Sequence, residues 1–227
     1  MSQTGTPRDA QRSRIYRAET PVASSPLPGL DACATFAERV IGTLWWQARF
    51  PDHTLDLTPR FRPGNGARQA FFREEEDGEP TITLPRRYRT KGVVLHELAH
   101  WALWSAVDLP HHGSTFARVL LDATEEFLGP ERSVLLAASF ATERVRVGKP
   151  PRGGPDGRLR YGWDERLRLG RGKQLTVRWL GTAGTDVATG TFVGYERAGA
   201  TVRLDSAAPR AIPTRAIWAV ESSTALA

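Results

Sequence analysis

Val93-Val-Leu-His96-Glu97-Leu98-Ala99-His100-Trp101 is the stretch on which the reading of this chain turns. Two histidines four residues apart, with a glutamate directly after the first, sit in an apolar run that predicts a helix over about Lys91 to Val107. That spacing puts both imidazoles on one helical face, a turn apart, so that they converge on one cation while Glu97 reaches a water beside it. Zinc takes two neutral imidazoles and a third protein ligand and leaves the fourth position for water, whose pKa falls towards 7. Two surface histidines, with Glu97 as a helical partner of His100, would account poorly for four of the five histidines falling between His96 and His112.

The third ligand separates the classes of such sites. Leu103 and Ala106 stand where a metzincin needs Gly and His, and no methionine follows Met1, so that class is excluded. A glutamate from the next helix, Glu125 or Glu126, is one choice, and His111 or His112 is the other.

Working outward, residues 1–30 are rich in Ser, Thr, Pro, Arg and Ala without periodicity and read as a disordered tail. Phe36, Val40, Ile41, Leu44 and Trp45 recur at helical spacing behind Asp31, predicting a helix to about Gln47. Three extended segments, Thr54 to Thr58, Arg68 to Arg73 and Thr81 to Leu84, predict a small antiparallel sheet. The helix bearing the histidines follows, then helices from about Ser114 to Phe127 and Glu131 to Val145. Residues 31–147 thus read as a zincin-like α+β domain. Residues 148–170 read as a basic Pro/Gly-rich linker, and 171–227, with four or five short alternating strands, as a small SH3-like β-barrel.

His112-Gly113-Ser114-Thr115-Phe116 lies twelve residues after His100. With the His-Glu-x-x-His pattern it resembles the signature of the SprT-like family, which includes the Spartan-type DNA-associated proteases, and the resemblance extends over about residues 31–146. It implies His96, His100 and His112 as zinc ligands, Glu97 as general base, Phe116 packed behind the site, and a protein or peptide substrate. It places the chain among small bacterial or phage metallohydrolases. Many members carry a C-terminal four-cysteine zinc ribbon; with Cys33 as its one cysteine this chain cannot, and the β-module stands in its place.

Charge supplies a second expectation. Residues 1–147 carry 18 Lys+Arg against 18 Asp+Glu, whereas 148–227 carry 13 against 7, so the net charge of +6 lies in the C-terminal third. Lys149, Arg152, Arg158, Arg160, Arg166, Arg168, Arg171, Lys173 and Arg178 form a stripe over 149–178 that suits nucleic acid, or else a solvated linker. Trp179 and Tyr195 are candidate base-stacking residues or barrel core, whereas Trp45, Trp46, Trp101 and Trp104 read as core. No stretch approaches about 18 clean apolar positions and the start is polar, so a cytoplasmic protein without a membrane span is expected.

The functional expectation is a metallopeptidase. Rival readings are a hydrolase dedicated to one regulatory protein or to a non-peptide amide, and a nucleic-acid- or partner-binding protein with structural zinc, for which Cys33 or an acidic residue would be the fourth ligand. Tyr88, Arg89 and Tyr161 are candidates to stabilise an oxyanion, Thr81 to Leu84 is the candidate edge for an extended substrate, and His53 reads as a surface loop residue.

Overall fold

The computed structural model describes residues 9–22 and 24–222, and the chain divides into two compact units between Val147 and Gly148. The described residues form a mixed α and β structure with seven helices, none long and apolar enough to cross a membrane.

The first unit begins with a helix, α1 (Arg12–Glu19), inside the segment expected to be a disordered tail. Its Ile15 and Ala18, three residues apart, are fully buried, and it packs on the last helix of the unit. Residues 24–27 are also tied down: the Leu27 N–H donates to the Arg89 carbonyl, and the Lys91 N–H to that of Ser25. The single helix expected from Asp31 to Gln47 is two, α2 (Leu30–Ile41) and α3 (Leu44–Arg49). Thr43 makes the break, its hydroxyl donating to the Val40 carbonyl at 2.7 Å and accepting from the Trp46 N–H at 3.2 Å, so it ends one helix and caps the next.

The small sheet is mixed rather than antiparallel. Strands β1 (Arg60–Pro63), β2 (Phe71–Glu74) and β3 (Pro80–Leu84) lie in the order β1-β3-β2, with β1 parallel and β2 antiparallel to β3. Leu55–Leu57, expected in a strand, is a 3-10 turn with both leucines about half exposed, and the strand falls just after it. Central β3 is the buried one. The edge open beside the site is therefore β2, and Thr81 to Leu84 cannot receive an added strand because both its sides are paired.

Helix α4 (Lys91–Ala102) carries the histidine pattern. Thr90 caps it by accepting from the Val93 N–H, and the helix ends at Ala102 rather than Val107. It is apolar almost all round because it is enclosed almost all round, packing on α2, β2 and α5 (Ser114–Leu128). Helix α6 (Pro130–Thr142) opens on a proline, whose missing N–H costs nothing at a first turn, and packs on both α5 and α1.

In the second unit the segment expected to be a linker is folded. A two-residue hairpin, β4 (Arg152–Gly153) with β5 (Leu159–Arg160), leads to α7 (Trp163–Leu169), and Tyr161, Trp163 and Leu167 are buried. Five strands follow: β6 (Gln174–Gly181), β7 (Gly184–Glu196), β8 (Thr201–Asp205), β9 (Arg210–Pro213) and β10 (Ile217–Ser222). Their antiparallel order is β10-β6-β7-β8-β9, with no ladder between β9 and β10, so the sheet is not a hydrogen-bond-closed barrel. It must still curl. The edges of a flat five-stranded sheet lie about 19 Å apart, whereas the chain from Pro213 to Ile217 spans at most about 14 Å. The curl encloses Leu175, Val177, Phe192, Val202, Leu204, Ile212, Ile217 and Val220 together with Trp163 and Leu167 of α7.

Candidate metal centre

Helix α4 brings His96 and His100 to one face, and the turn before α5 brings His112 against them. The His100 Nε2 lies 3.2 Å from the Nε2 of His96 and 3.2 Å from that of His112, and all three ligand atoms fall within 4.8 Å of one another. Phe116, one turn into α5 and fully buried, backs the group with its ring centroid 4.4–5.0 Å from those of the three imidazoles.

The outer nitrogens of two rings are engaged by carboxylates. Both Glu19 oxygens lie 3.0 Å from the His96 Nδ1, and the Asp9 Oδ2 lies 2.8 Å from the His112 Nδ1. A carboxylate there accepts the Nδ1 proton, so each ring turns an Nε2 lone pair towards His100. Burial, and then the charge of His96, hold His112 down to about 4 and His100 well below the ordinary histidine value. Burial would lower His96 as well, but Glu19 and Glu97 together outweigh it and the net shift is upward.

Converging lone pairs repel each other unless a cation lies between them. Donors about 2.0–2.1 Å from a tetrahedral ion sit about 3.3–3.4 Å apart, close to the two 3.2 Å separations here, and three imidazoles are a donor set for zinc and for several other transition metals. The three histidines therefore fit a metal ion. Among the described residues no fourth His, Cys, Asp or Glu joins the group, which leaves a coordination position for a small molecule.

Glu97 is 2% exposed and lines a cleft of about 570 Å³ together with His100, His112, Trp104, Phe71 and Phe72. The backbone N–H of Phe72 donates to its carboxylate, while its Oε2 has no hydrogen-bond partner among the described residues. Burial pushes Glu97 up to about 7, with Glu19 adding to the rise and His96 opposing it. A carboxyl group with a pKa near neutrality can both take and return a proton.

His111, Glu125 and Glu126, the alternative third ligands, are exposed and outside the group; the His111 ring lies against Trp104, 6.0 Å between centroids. His53 is packed edge-on against Trp101 at 4.8 Å rather than free in a loop, and burial lowers its pKa. Trp46 and Trp101 are core, but Trp104 is 39% exposed at the cleft mouth, donating to Glu74. Tyr88 and Arg89 do not line the cleft, and Tyr161 is buried in the second unit.

The sequence reading missed the other wall of the cleft. Asp9, Arg12 and Tyr16 line it, with the Tyr16 ring stacked on His96 at 5.3 Å and tilted over His112 at 5.4 Å. The one available signal was Arg12 to Glu19, eight residues without Gly or Pro and with apolar positions three apart.

Much of the basic stripe is engaged by partners within the second unit. Arg152 lies over the Trp163 ring and donates to the Thr214 and Ile217 carbonyls. Arg160 pairs with Asp156 and covers Trp218, Arg166 donates to the Tyr161 carbonyl, and Arg178 meets Glu221. Trp179 packs against the core of the sheet, whereas Tyr195 is 44% exposed beside a groove lined by Arg168, Arg171 and Arg203. Compared with protein-family models, curated proteins and solved structures, the chain matches none.

Proposed function

We propose that the chain is a zinc-dependent hydrolase of SprT-like, zincin type that cleaves peptide bonds, with His96, His100 and His112 as ligands and Glu97 as general base. The observation that carries this reading is Glu97: a buried carboxylate with one unpartnered oxygen, facing the cleft from between two histidines of a three-histidine group. A structural metal site has no use for such a group. It would instead complete four protein ligands, and buried Cys33 does not join the histidines.

Zinc held there supplies Lewis acidity that polarises a carbonyl and acidifies water. Glu97 takes a proton from water as its oxygen adds to the scissile carbonyl carbon. It then gives that proton to the amide nitrogen as the carbon–nitrogen bond breaks, and ends the cycle unchanged. Strand β2 is the edge of its sheet and supplies Phe71 and Phe72 to the cleft, so an extended peptide is held there by strand addition. Beside His100, an apolar recess formed by Leu103, Ala106, Val107 and Leu109 accepts a substrate side chain.

The decisive experiment incubates purified, zinc-loaded protein with a DNA-binding protein, with and without single-stranded DNA, beside Glu97→Gln. Cleavage by the wild type, lost in Glu97→Gln at unchanged zinc content, is the expected result. Equal cleavage by both removes the mechanism. Zinc binding without cleavage of denatured proteins shifts the reading to one dedicated native substrate or a non-peptide amide.

The DNA arm has its own basis in the second unit. Tyr195 and the arginines 168, 171 and 203 border a groove of about 530 Å³ on the curled, barrel-like sheet, and although Glu196 also lines it and pairs with Arg203, a stacking face lies beside an excess of positive charge. Single-stranded DNA binding by the full chain that weakens in Arg171→Ala and Tyr195→Ala and falls with salt is expected. Binding unchanged by both substitutions, or absent at low salt, excludes that groove.

A further inference from the structure

We propose that Asp9 and Glu19 are positioning residues of the metal centre, so that the segment from Asp9 to Glu19 is a working part of the site. The inference rests on the metal reading of the three histidines given above and goes beyond it by assigning the outer partners and what they control.

Both carboxylates meet the ring nitrogen that faces away from the group: Glu19 with two oxygens at 3.0 Å from the His96 Nδ1, Asp9 at 2.8 Å from the His112 Nδ1. Accepting that proton fixes the tautomer that leaves Nε2 free for a metal, holds the ring in orientation and raises its basicity. The charge also fits: two carboxylates at the outer edges of the rings would offset the charge of a divalent cation held between them. An ion pair serving only stability would be a poor use of Asp9, since its Oδ1 is buried without a partner among the described residues. Buried unpaired carboxylate oxygens are costly unless a neighbouring charge compensates them.

The segment that supplies both groups is docked at several points. Ile15 and Ala18 are fully buried, Gln11 donates to the carbonyls of His112 and Arg146, and Arg14 donates to that of Arg144. Tyr16, between the two carboxylates in the chain, lies over both histidines that they hold. Docking of the segment and binding of the metal are therefore linked. By reciprocity, whatever docking adds to metal affinity, the metal returns to docking.

The test uses the full chain and zinc alone. Zinc affinity is measured by competition with a chromophoric chelator for the wild type, Asp9→Asn, Glu19→Gln and the double variant, with Arg17→Ala as a control that contacts no ligand. Each carboxylate variant is expected to bind zinc about 10–100-fold more weakly, with Arg17→Ala unchanged. Hydrogen exchange over residues 12–19 is expected to slow on zinc addition in the wild type and to respond less in the double variant. Should Glu19→Gln fail to fold, Asp9→Asn decides the matter. Wild-type affinity in both carboxylate variants, with zinc-independent exchange over 12–19, overturns the proposal while leaving the three-histidine site intact. A wild type that binds no zinc overturns the metal reading itself, and this inference with it.

Discussion

The cleft has two walls of opposite character. One, from α4 and the start of α5, is continuous in sequence: His96, Glu97, His100, His112 and Phe116 all fall within 21 residues on elements with strong local signals. The other, α1 with Asp9, is a polar eight-residue helix whose partners at His96 and His112 lie 77 and 103 residues away in the chain. An isolated helix that short is marginal in water, so α1 exists through its docking. On the proposed function, the difference separates what would make the chemistry from what would set its conditions: the first wall offers three imidazoles and the Glu97 carboxylate, and the second sets carboxylates and a tyrosine ring against those imidazoles.

Removing a donor from the first wall should outweigh anything done to the second. His112→Ala is expected to lower zinc affinity by more than the 10–100-fold assigned to an outer carboxylate, as read by chelator competition. An equal loss from His112→Ala and Asp9→Asn would erase the distinction between the walls. Phe116→Ala, which hollows the core directly behind the rings, is expected to cost about 3–5 kcal/mol of stability in denaturant melts of the metal-free protein. A loss under 1 kcal/mol would mean that the rings are held from the other side.

Acid probes both walls together. In the metal-free protein His53, His100 and His112 have folded pKa values below the ordinary 6.5, His112 at about 4. The unfolded chain therefore binds more protons at these sites, and the stability they contribute is complete above about pH 6.5 and is lost as pH falls through the folded values. His96 and Glu97, the latter at about 7, are shifted the other way, so their contributions are present in acid and lost as pH rises through their folded values, opposing three groups with two. Melting temperature of the metal-free protein is expected to fall from pH 7 towards pH 4. Zinc should be released over the same range, because protons compete for the same nitrogens. A melting temperature that rises on acidification would show that the two raised groups, His96 and Glu97, dominate.

Legibility in the sequence followed the range of the interactions. Helix α5 could be read because its apolar period is local, and α4 because a four-residue spacing of histidines sat in an apolar run, although the run continues past Ala102, where Leu103 ends the helix. The break at Gly42-Thr43 was hidden because the apolar spacing of α2 and α3 runs on across it, while one hydroxyl decides the cap. Leu55 and Leu57 alternate like strand residues yet are half exposed, whereas β1, with Phe61 as its one large apolar side chain, is made a strand by parallel pairing to residues about 20 further on. Nothing local announces such a pairing. Residues 148–170 were misread for the opposite reason: their prolines and glycines were weighed above Tyr161, Trp163 and Leu167, the residues that anchor them. The outer carboxylates were the least legible, since an Asp or Glu near a chain start acquires meaning only once the fold carries it to an imidazole.

The smallest expected effect sharpens the account of the second wall most. Arg17 and Glu143 form a close ion pair between α1 and the residue after α6, but the arginine side chain is 58% exposed. Exposed pairs contribute about 0–1 kcal/mol, since solvent screens them and ordering two long side chains opposes the gain. Ile15, fully buried on the same helix, should cost about 2–5 kcal/mol when cut to alanine. If apolar burial seats the segment, Ile15→Ala will weaken zinc binding without touching a ligand or its partner, and Arg17→Ala will leave both melting temperature and zinc affinity within error of the wild type. The reverse order would mean that α1 is held by charge at its exposed edge. In that case zinc affinity itself would fall with salt, because the pair that seats Asp9 and Glu19 against the histidines would be screened.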